Sequence, residues 1–304
     1  MSTRWRILDC SSLEGRIKAR RGALFICPTN NQETLLSTAD IAVALIGPHV
    51  SFSSAVVHRL MANDIAVFFC DWKGVPEGAA YGWQEHGRIG ARHRAQRNIS
   101  LPRQKHAWAQ IIRAKVKGQA YVLRAKESSE ANEIFALAQL IRSGDPQNIE
   151  ARAARIYWQA LWGPEPFIRL PGTGGSSQDS TRNSQLDYAY TVLRGHGIRA
   201  VLAAGLSPTL GIFHHGRGNS FALVDDIIEP FRPAVDYQVG KLSLDSSMED
   251  PEVRKRLVAA SSKRFSSSGL TIPSALEDFA QTLGQYFEGE IKKLPVPQWE
   301  GPAL

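Results

Sequence analysis

The spacing of apolar residues divides the chain into two regions with different periods. In the first region, WRILDCSS, IAVALIG and IAVFFCDW are short apolar runs separated by Gly, Pro and Asn, a pattern typical of β-strands. Residues 52–63 differ, because Val56, Val57, Leu60 and Met61 have helical spacing. The first region therefore predicts a small β domain that carries one helix.

From about residue 88 the period becomes helical. The segments RQKHAWAQIIRAKVKGQAYVLRA, SSEANEIFALAQLIRSG and NIEARAARIYWQALWG each have apolar residues three or four apart. The pattern predicts an α+β protein with a small N-terminal β-sheet domain followed by a larger all-helical domain. The predicted boundaries are a β domain over 1–74, a Gly- and Pro-rich linker over 75–87, a helical domain over 88–293 and a flexible tail over 294–304.

The composition is that of a globular protein, with 43% hydrophobic and 21% charged residues among 304. No apolar run approaches the roughly 20 residues of a membrane helix, and MSTRWRILDCSS lacks the apolar core of a secretory signal. We therefore expect a cytoplasmic protein without membrane association.

The positive charge is concentrated in one part of the chain. Eleven Lys or Arg residues and no Asp or Glu lie between Arg88 and Lys126. Most charge runs are solvated surfaces. A run without acidic partners, however, is what a surface that contacts nucleic-acid phosphates needs, and Trp108 and Tyr121 offer stacking faces within it. The candidate DNA-binding residues are Arg88, Arg92, Arg94, Arg97, Arg103 and Lys105.

Three carboxylates lie together in the segment ALVDDIIEPF. Its apolar residues have roughly helical spacing up to Pro230, which would place Glu229 on one face with either Asp225 or Asp226. No Lys or Arg occurs from 218 to 231, so a divalent metal ion would relieve the repulsion among these acids. The alternative is structural: the two aspartates flank a helix start and Glu229 faces water.

A further acid, Glu150, lies in the first turn of the helix predicted over NIEARAARIYWQAL. Ala154 and Tyr157 on the buried face of that helix lie one and two turns along from it. An acid on the core side needs a partner, although stabilisation of the helix dipole is the simpler explanation.

These segments are where the chain resembles the CRISPR-associated spacer-acquisition integrases, the Cas-one family, in their type II form. The family's marks stand here as Glu150 in EARAARIYW, GLSPTLGIFH ending at His214, and DIIEPFRP with Asp226 and Glu229. The segment NSQLDYAY, which begins at Asn183, is also similar to a family segment. The resemblance is close over about 150–240 and architectural elsewhere.

The resemblance implies that Glu150, His214 and Glu229 are catalytic and bind a divalent metal ion. It makes Asp226 and Asn183 secondary or substrate-side residues. The adjacent His215 is the alternative ligand, and the spacing of the Gly-x-x-Pro-x-x-Gly-x-x-His segment favours His214. Two carboxylates and an imidazole suit Mn²⁺ or Mg²⁺.

The resemblance further implies a biological role. A member of this family is a DNA endonuclease and integrase that inserts short foreign DNA segments into a CRISPR array, by attack of a 3′-hydroxyl on a phosphodiester. Its partners would be double-stranded DNA (the prespacer and the repeat), a second copy of the chain through the β domain, and a small Cas-two protein.

Two other readings compete with this one. A non-catalytic DNA-binding scaffold would use the acidic cluster structurally and would need neither Glu150 nor Glu229. A di-iron helical bundle would also place carboxylates on helices, but no Glu-x-x-His or Asp-x-x-His occurs in the chain.

Overall fold

The chain folds into two units, Met1–Glu85 and His86–Leu304. The structure is a computed structural model, and helices, strands and contacts are described for part of the chain. The described residues are 6–20, 23–30, 32–39, 41–72, 76–82, 86–162, 167–170, 178–243, 246–261, 263–265 and 269–302.

The N-terminal unit contains two four-stranded sheets and one helix among its described residues. One sheet has the strand order β1-β5-β7-β8 and the other β4-β3-β2-β6. The elements are β1 (Arg6–Cys10), β2 (Gly15–Arg20), β3 (Ala23–Pro28), β4 (Thr34–Ser37), β5 (Ile41–Ile46), β6 (Val50–Phe52), α1 (Ser54–Met61), β7 (Ala66–Cys70) and β8 (Pro76–Ala80).

Strand β5 forms the centre of this unit. It pairs in parallel with both β1 and β7, and all six of its residues are buried. A strand covered on both faces reads as a continuous apolar run, which is why IAVALI lacks alternation. The core of the unit is completed by side chains such as Leu24 of β3 and Val56 and Leu60 of α1.

The described part of the second unit is helical apart from one isolated bridge between Arg264 and Thr271. Its elements are α2 (Ile89–Arg97), α3 (Leu101–Ala125), α4 (Ala131–Leu140), α5 (Ile149–Leu161), α6 (Gln178–Ala203), α7 (Ala222–Ile227), a 3₁₀ turn (Glu229–Phe231), α8 (Arg232–Val239), α9 (Pro251–Ala260) and α10 (Ile272–Glu288).

Helix α3 is the central element of the helical unit. It contacts α4, α5, α7, α8 and the 3₁₀ turn, so helices that are distant in sequence converge on it. Close approach is possible because small residues interrupt its apolar surface. A Cβ on Gly118 would lie 2.9 Å from Cγ of Pro233, so α8 could not pack as closely against a larger residue there.

The predicted fold class is confirmed: a β-sheet unit with one helix precedes a helical unit. The predicted linker over 75–87 was wrong in part, because residues 76–80 form β8 and pair with β7. Pro and Gly in GVPEGAAYG indicate a turn, but pairing with the apolar strand β7 makes 76–80 an edge strand, where Pro is tolerated. None of the described helices is long and apolar enough to cross a membrane.

The predicted flexible tail was also wrong for its described residues. Leu294 is 1% exposed and Trp299 is 2% exposed, and the ring of Trp299 lies 5.3 Å from that of Tyr237 on α8. Pro and Gly indicate irregular backbone, but they do not prevent large apolar side chains from packing. The segment is therefore part of the core of the helical unit.

We predict that Leu294→Ala lowers the free energy of unfolding of the helical unit by about 2–5 kcal/mol, because it leaves a cavity in a packed site. Leu140→Ala is the matched control, since Leu140 is 52% exposed at the end of α4 and its loss should cost within about 0.5 kcal/mol. Urea unfolding followed by helical circular dichroism measures both. Equal effects of the two substitutions would mean that the tail is loosely attached.

Candidate active site

Two glutamates from separate elements meet at one lysine ammonium. Glu150 lies in the first turn of α5, Glu229 begins the 3₁₀ turn, and Lys115 lies in the middle of α3. Nζ of Lys115 is 2.5 Å from Oε1 of Glu150 and 2.7 Å from Oε2 of Glu229. Because α3 packs against both α5 and the 3₁₀ turn, these side chains converge.

The cluster is mostly shielded from water. The side chain of Glu229 is 6% exposed, that of Lys115 12% and that of Glu150 28%. Arg232 adds a second cation, with Nη2 at 3.2 Å from Oε1 of Glu229. Burial opposes ionisation of Glu229, but the positive charges of Arg232 and Lys115 outweigh it and hold its pKa below the ordinary value.

Lys115 responds in the complementary way. Burial favours its neutral form, but Glu229 and Glu150 oppose that effect, and the pKa of the ammonium is raised above its ordinary value. Glu229 and Lys115 are therefore both charged at neutral pH.

His214 is held by Asp226, which is fully buried. Nδ1 of His214 lies 2.7 Å from Oδ1 of Asp226. The same carboxylate accepts backbone N–H bonds from Ile212, Phe213 and His214, at 2.5, 3.0 and 3.3 Å. The hydrogen bond with Asp226 raises the pKa of His214 despite partial burial. Because Nδ1 faces Asp226, Nε2 is the ring nitrogen that remains for a ligand.

The structure separates the roles of Asp226 and Glu229. The sequence predicted one helix with both on a face, but α7 ends at Ile227 and the chain continues through the 3₁₀ turn into α8. Asp226 consequently faces the Ile212–His214 backbone and Glu229 faces Lys115. Pro230 does not end the helical path, because it lies in the first turn of the 3₁₀ segment, where no backbone N–H is required.

Two glutamines that the sequence analysis missed hold the loop before His214. Nε2 of Gln96 donates to the carbonyls of Ser207 and Leu210, at 2.8 and 2.9 Å. Nε2 of Gln104 donates to the carbonyl of Ile212 at 2.7 Å. Both glutamines lie among basic residues, so the sequence gives no sign of these contacts, although Gln96 is buried and a buried amide needs partners.

The glycines of GLSPTLGIFH have steric reasons to be glycine. A Cβ on Gly211 would lie 2.3 Å from the carbonyl oxygen of His214 and 3.0 Å from Oδ2 of Asp226. Gly205 has a φ of +63°, and its Cβ would lie 2.6 Å from the ring of His86. The two glycines therefore stand where the backbone must turn closely enough to place His214 beside Asp226.

An aromatic stack lies beside His214. The rings of Trp108 and Phe213 are parallel at 4.2 Å, and His214 meets Trp108 edge-on at 5.9 Å. Trp108 is buried, whereas Phe213 is 50% exposed and presents its other face to solvent. His215, the alternative ligand, instead lies with Nε2 3.4 Å from Nε2 of Gln104.

A second buried network supports Arg232. Asp236 accepts hydrogen bonds from the hydroxyls of Tyr157, at 3.0 Å, and Tyr190. The guanidinium of Arg232 lies 4.7 Å from the ring of Tyr190. Burial raises the pKa of Asp236 to about 6, although the two phenols and Arg232 act in the opposite direction.

Asn183 and Asp225 have structural partners. Oδ1 of Asn183 accepts from N of Leu170 and Nη1 of Arg169, both at 2.9 Å, and its amide donates to the carbonyl of Ile168. Asp225 pairs with Arg194 at 2.8 Å. These contacts tie Asn183 to segment 167–170 and α7 to α6.

The six candidate DNA-binding residues divide into two groups. Arg88, Arg92 and Arg103 have partners inside the helical unit: Arg88 and Arg92 pair with Glu288 at 2.8 and 3.3 Å, and Arg103 donates to the carbonyl of Tyr286. Arg92 is 6% exposed, so a role in DNA contact would require its guanidinium to leave these partners. Arg94, Arg97 and Lys105 are exposed, and so is Arg88, whose side chain is 55% exposed despite its ion pairs.

The predicted metal ligands are only partly assembled. Across the described ranges, no cluster of three or more His, Cys, Asp or Glu side chains has the spacing of a metal site. Two features nevertheless suit a cation. Lys115 already places a positive charge between Glu150 and Glu229, and His214 has its Nδ1 fixed by Asp226.

Known structures have the same architecture. A casposase bound to integration product aligns with a TM-score of 0.78 at 19% identity, over 96% of this chain and 93% of that one. A Cas6-RT-Cas1–Cas2 complex aligns with a TM-score of 0.74 at 19% identity, over 98% of this chain and 36% of that one. The chain therefore belongs to the fold class that these structures share.

The sequence comparisons identify the family within that class. The model for CRISPR associated protein Cas1 matches residues 11–256. The CRISPR-associated endonuclease Cas1 of Neisseria meningitidis serogroup C (strain 8013) is 32% identical over 264 residues, which cover 84% of this chain and 82% of that protein. The chain belongs to the Cas1 family, and the family predicted from its motifs is confirmed.

We predict that Asp236 makes stability fall as pH rises from about 4 to about 6. The unfolded chain loses this proton near its ordinary pKa of 3.8 and the folded chain only near 6, so folding loses up to about 3 kcal/mol in that window. Asp236→Asn should remove this contribution. Unfolding free energies of both proteins across the window test it, and parallel profiles would contradict it.

Proposed function

We propose that this Cas1-family chain is a metal-dependent DNA endonuclease and integrase that inserts short DNA segments into a CRISPR array. The observation that supports this best is the convergence of Glu150 and Glu229, from two separate elements, on one cation. His214, the third proposed ligand, is held by the fully buried Asp226, an arrangement for which a scaffold with a structural acidic cluster has no need.

Glu150, Glu229 and Nε2 of His214 would hold the metal ion. Carboxylate oxygens with one imidazole suit Mn²⁺ or Mg²⁺. When bound, such an ion polarises a phosphodiester and stabilises charge on the attacking and leaving oxygens. The residues present therefore fit the group, provided that Lys115 moves from between the two glutamates.

The reaction needs no covalent enzyme intermediate. A 3′-hydroxyl of the incoming DNA attacks a phosphorus of the repeat strand, a new phosphoester bond forms, and the bond to the leaving 3′-oxygen breaks. The hydroxyl proton passes to solvent and the leaving oxygen takes one up. Water in place of the DNA hydroxyl gives hydrolysis, which accounts for an endonuclease and an integrase in one site.

The neighbouring residues would orient the reacting groups. Asp226 accepts from Nδ1–H of His214 and fixes both the tautomer and the direction of Nε2. Arg232 balances the charge of Glu229 from the opposite oxygen, Oε1. Phe213, half exposed beside His214, offers a flat apolar face to the DNA.

The DNA substrate would be double-stranded, as prespacer and as CRISPR repeat. Exposed Arg94 and Arg97 flank Gln96, the α2 residue that holds the loop leading to His214, so phosphate contacts there would lie near the site. Structures with this fold include a Cas6-RT-Cas1–Cas2 complex and a casposase bound to integration product. We infer a small Cas2 partner, a homodimer formed through the N-terminal unit, and action in the cytoplasm, where the array DNA lies.

A branched DNA that mimics an integration intermediate tests the activity, because reversal of strand transfer requires neither partner nor repeat. We expect strand release with Mn²⁺, none with EDTA, and a loss of about 100-fold or more in Glu229→Gln, because a proposed ligand is removed. Glu252→Gln, on an exposed part of α9, is the matched control and should retain activity.

Folding of both variants is checked by circular dichroism. If the wild-type chain binds the branched DNA tightly but releases no strand with any divalent metal, the scaffold hypothesis replaces the enzyme hypothesis.

DNA affinity tests the basic surface separately from catalysis. We predict that Arg94→Ala with Arg97→Ala weakens binding of a labelled duplex in EDTA and lowers the salt dependence by up to about 1.8, from roughly 0.9 for each lost phosphate contact. Lys255→Ala with Arg256→Ala removes two exposed basic residues of α9 and controls for net charge. The same slope in both double variants would contradict a contact surface on α2.

A further inference from the structure

Lys115 occupies the position where the proposed metal site needs a cation. The ammonium contacts Glu150 and Glu229, which come from α5 and from the 3₁₀ turn. We propose that Lys115 is a built-in competitor of the divalent ion: its ammonium fills the space between the two glutamates until metal displaces it. This inference rests on the proposed metal site, which it deepens by assigning the residue that sets metal affinity.

The charges around the site support this competition. Lys115 and Arg232 carry two positive charges, and Glu150 and Glu229 carry two negative charges, so the four side chains are neutral together. A divalent ion entering a neutral cluster gains little attraction, and it also meets an ammonium already in contact with both carboxylates. Displacement of Lys115 restores a net negative charge at the ligands. Both cations keep their charge, so the exchange involves no loss of a proton.

The geometry permits the exchange. The ammonium donates a hydrogen bond to Oε1 of Glu150 and forms an ion pair with Oε2 of Glu229 at 2.7 Å, so a divalent ion would replace it at both oxygens. Carboxylate oxygens are acceptors only, and the same two atoms can therefore bind a metal ion once the ammonium has left. Arg232 stays on Oε1 and would keep Glu229 in place as Lys115 leaves.

The long side chain of Lys115 can move without disturbing α3. Its side chain is 12% exposed, so the site opens to solvent on at least one side. Four flexible methylenes let a lysine ammonium change partner while its backbone remains fixed. An anion brought to the metal, such as a DNA phosphate, would offer the displaced ammonium a new partner beside its old one.

The test measures Mn²⁺ affinity of the full-length chain in the absence of DNA, by titration calorimetry on EDTA-treated and dialysed protein. We expect Lys115→Met and Lys115→Gln each to bind Mn²⁺ at least 10-fold more tightly than the wild type. Lys117→Met is the matched control, since it removes a lysine two residues along the same helix, and its affinity should stay within 2-fold of the wild type. Glu229→Gln should abolish binding in either background.

Thermal unfolding provides a second readout. Without metal, Lys115→Met should melt below the wild type, because two carboxylates lose their shared cation. Saturating Mn²⁺ should then raise its melting temperature by more than it raises that of the wild type. A purely structural lysine would give the opposite result for affinity, since loosening the site weakens metal binding.

The outcomes distinguish this inference from the proposed metal site. If the wild type binds Mn²⁺ through Glu229 and the Lys115 variants bind it equally or more weakly, competition by Lys115 is disproved while the metal site stands. If neither the wild type nor the variants bind Mn²⁺, both ideas fail together. Binding seen in the variants alone would support both.

Discussion

The helical unit depends on one electrostatic constraint: two carboxylates brought together in a shielded place require a positive charge between them. Glu229 is almost completely buried, and an ionised carboxylate there without a partner would cost several kcal/mol, about 3–5 kcal/mol by comparison with broken buried ion pairs. Lys115 and Arg232 supply the charge from α3 and α8, and Glu150 extends the cluster to α5. The helices that pack on α3 are thus joined by charge as well as by apolar contact.

Asp226 imposes a second constraint on the other side of the site. Its carboxylate accepts from three successive backbone N–H groups and from His214, so one buried charge fixes both a loop and a ring. The turn it gathers is tight enough that Gly211 has no room for a Cβ. The spacing of the residues in GLSPTLGIFH is therefore the spacing that this turn requires. The turn orients its histidine before any ligand binds. Preorganisation of this kind is what a metal or a phosphate site needs.

Much of the fold was predictable from periodicity, because burial on one side dictates apolar spacing. Helices α3 and α5 and the strands around β5 follow from it, and so does the placement of Glu150 on a helix. Lys115 was missed because a lysine within a run of basic residues looks solvated, and only tertiary packing shows that α5 and the 3₁₀ turn close over it. The different orientations of Asp226 and Glu229 were missed because the end of α7 before Ile228 does not change the spacing of the apolar residues.

The basic residues between 88 and 126 include buried and exposed side chains, and dissolved salt should affect the interactions of these two groups differently. Arg92 and Lys115 are buried ion-pair partners, and such pairs are screened only weakly by dissolved ions. Arg94, Arg97 and Lys105 are exposed, so any attraction they exert on DNA decays with ionic strength. The count of 36 basic residues thus overstates the number available to a nucleic acid, because some of them already pair with carboxylates inside the helical unit. Salt that releases DNA would leave the site's internal charge balance largely intact.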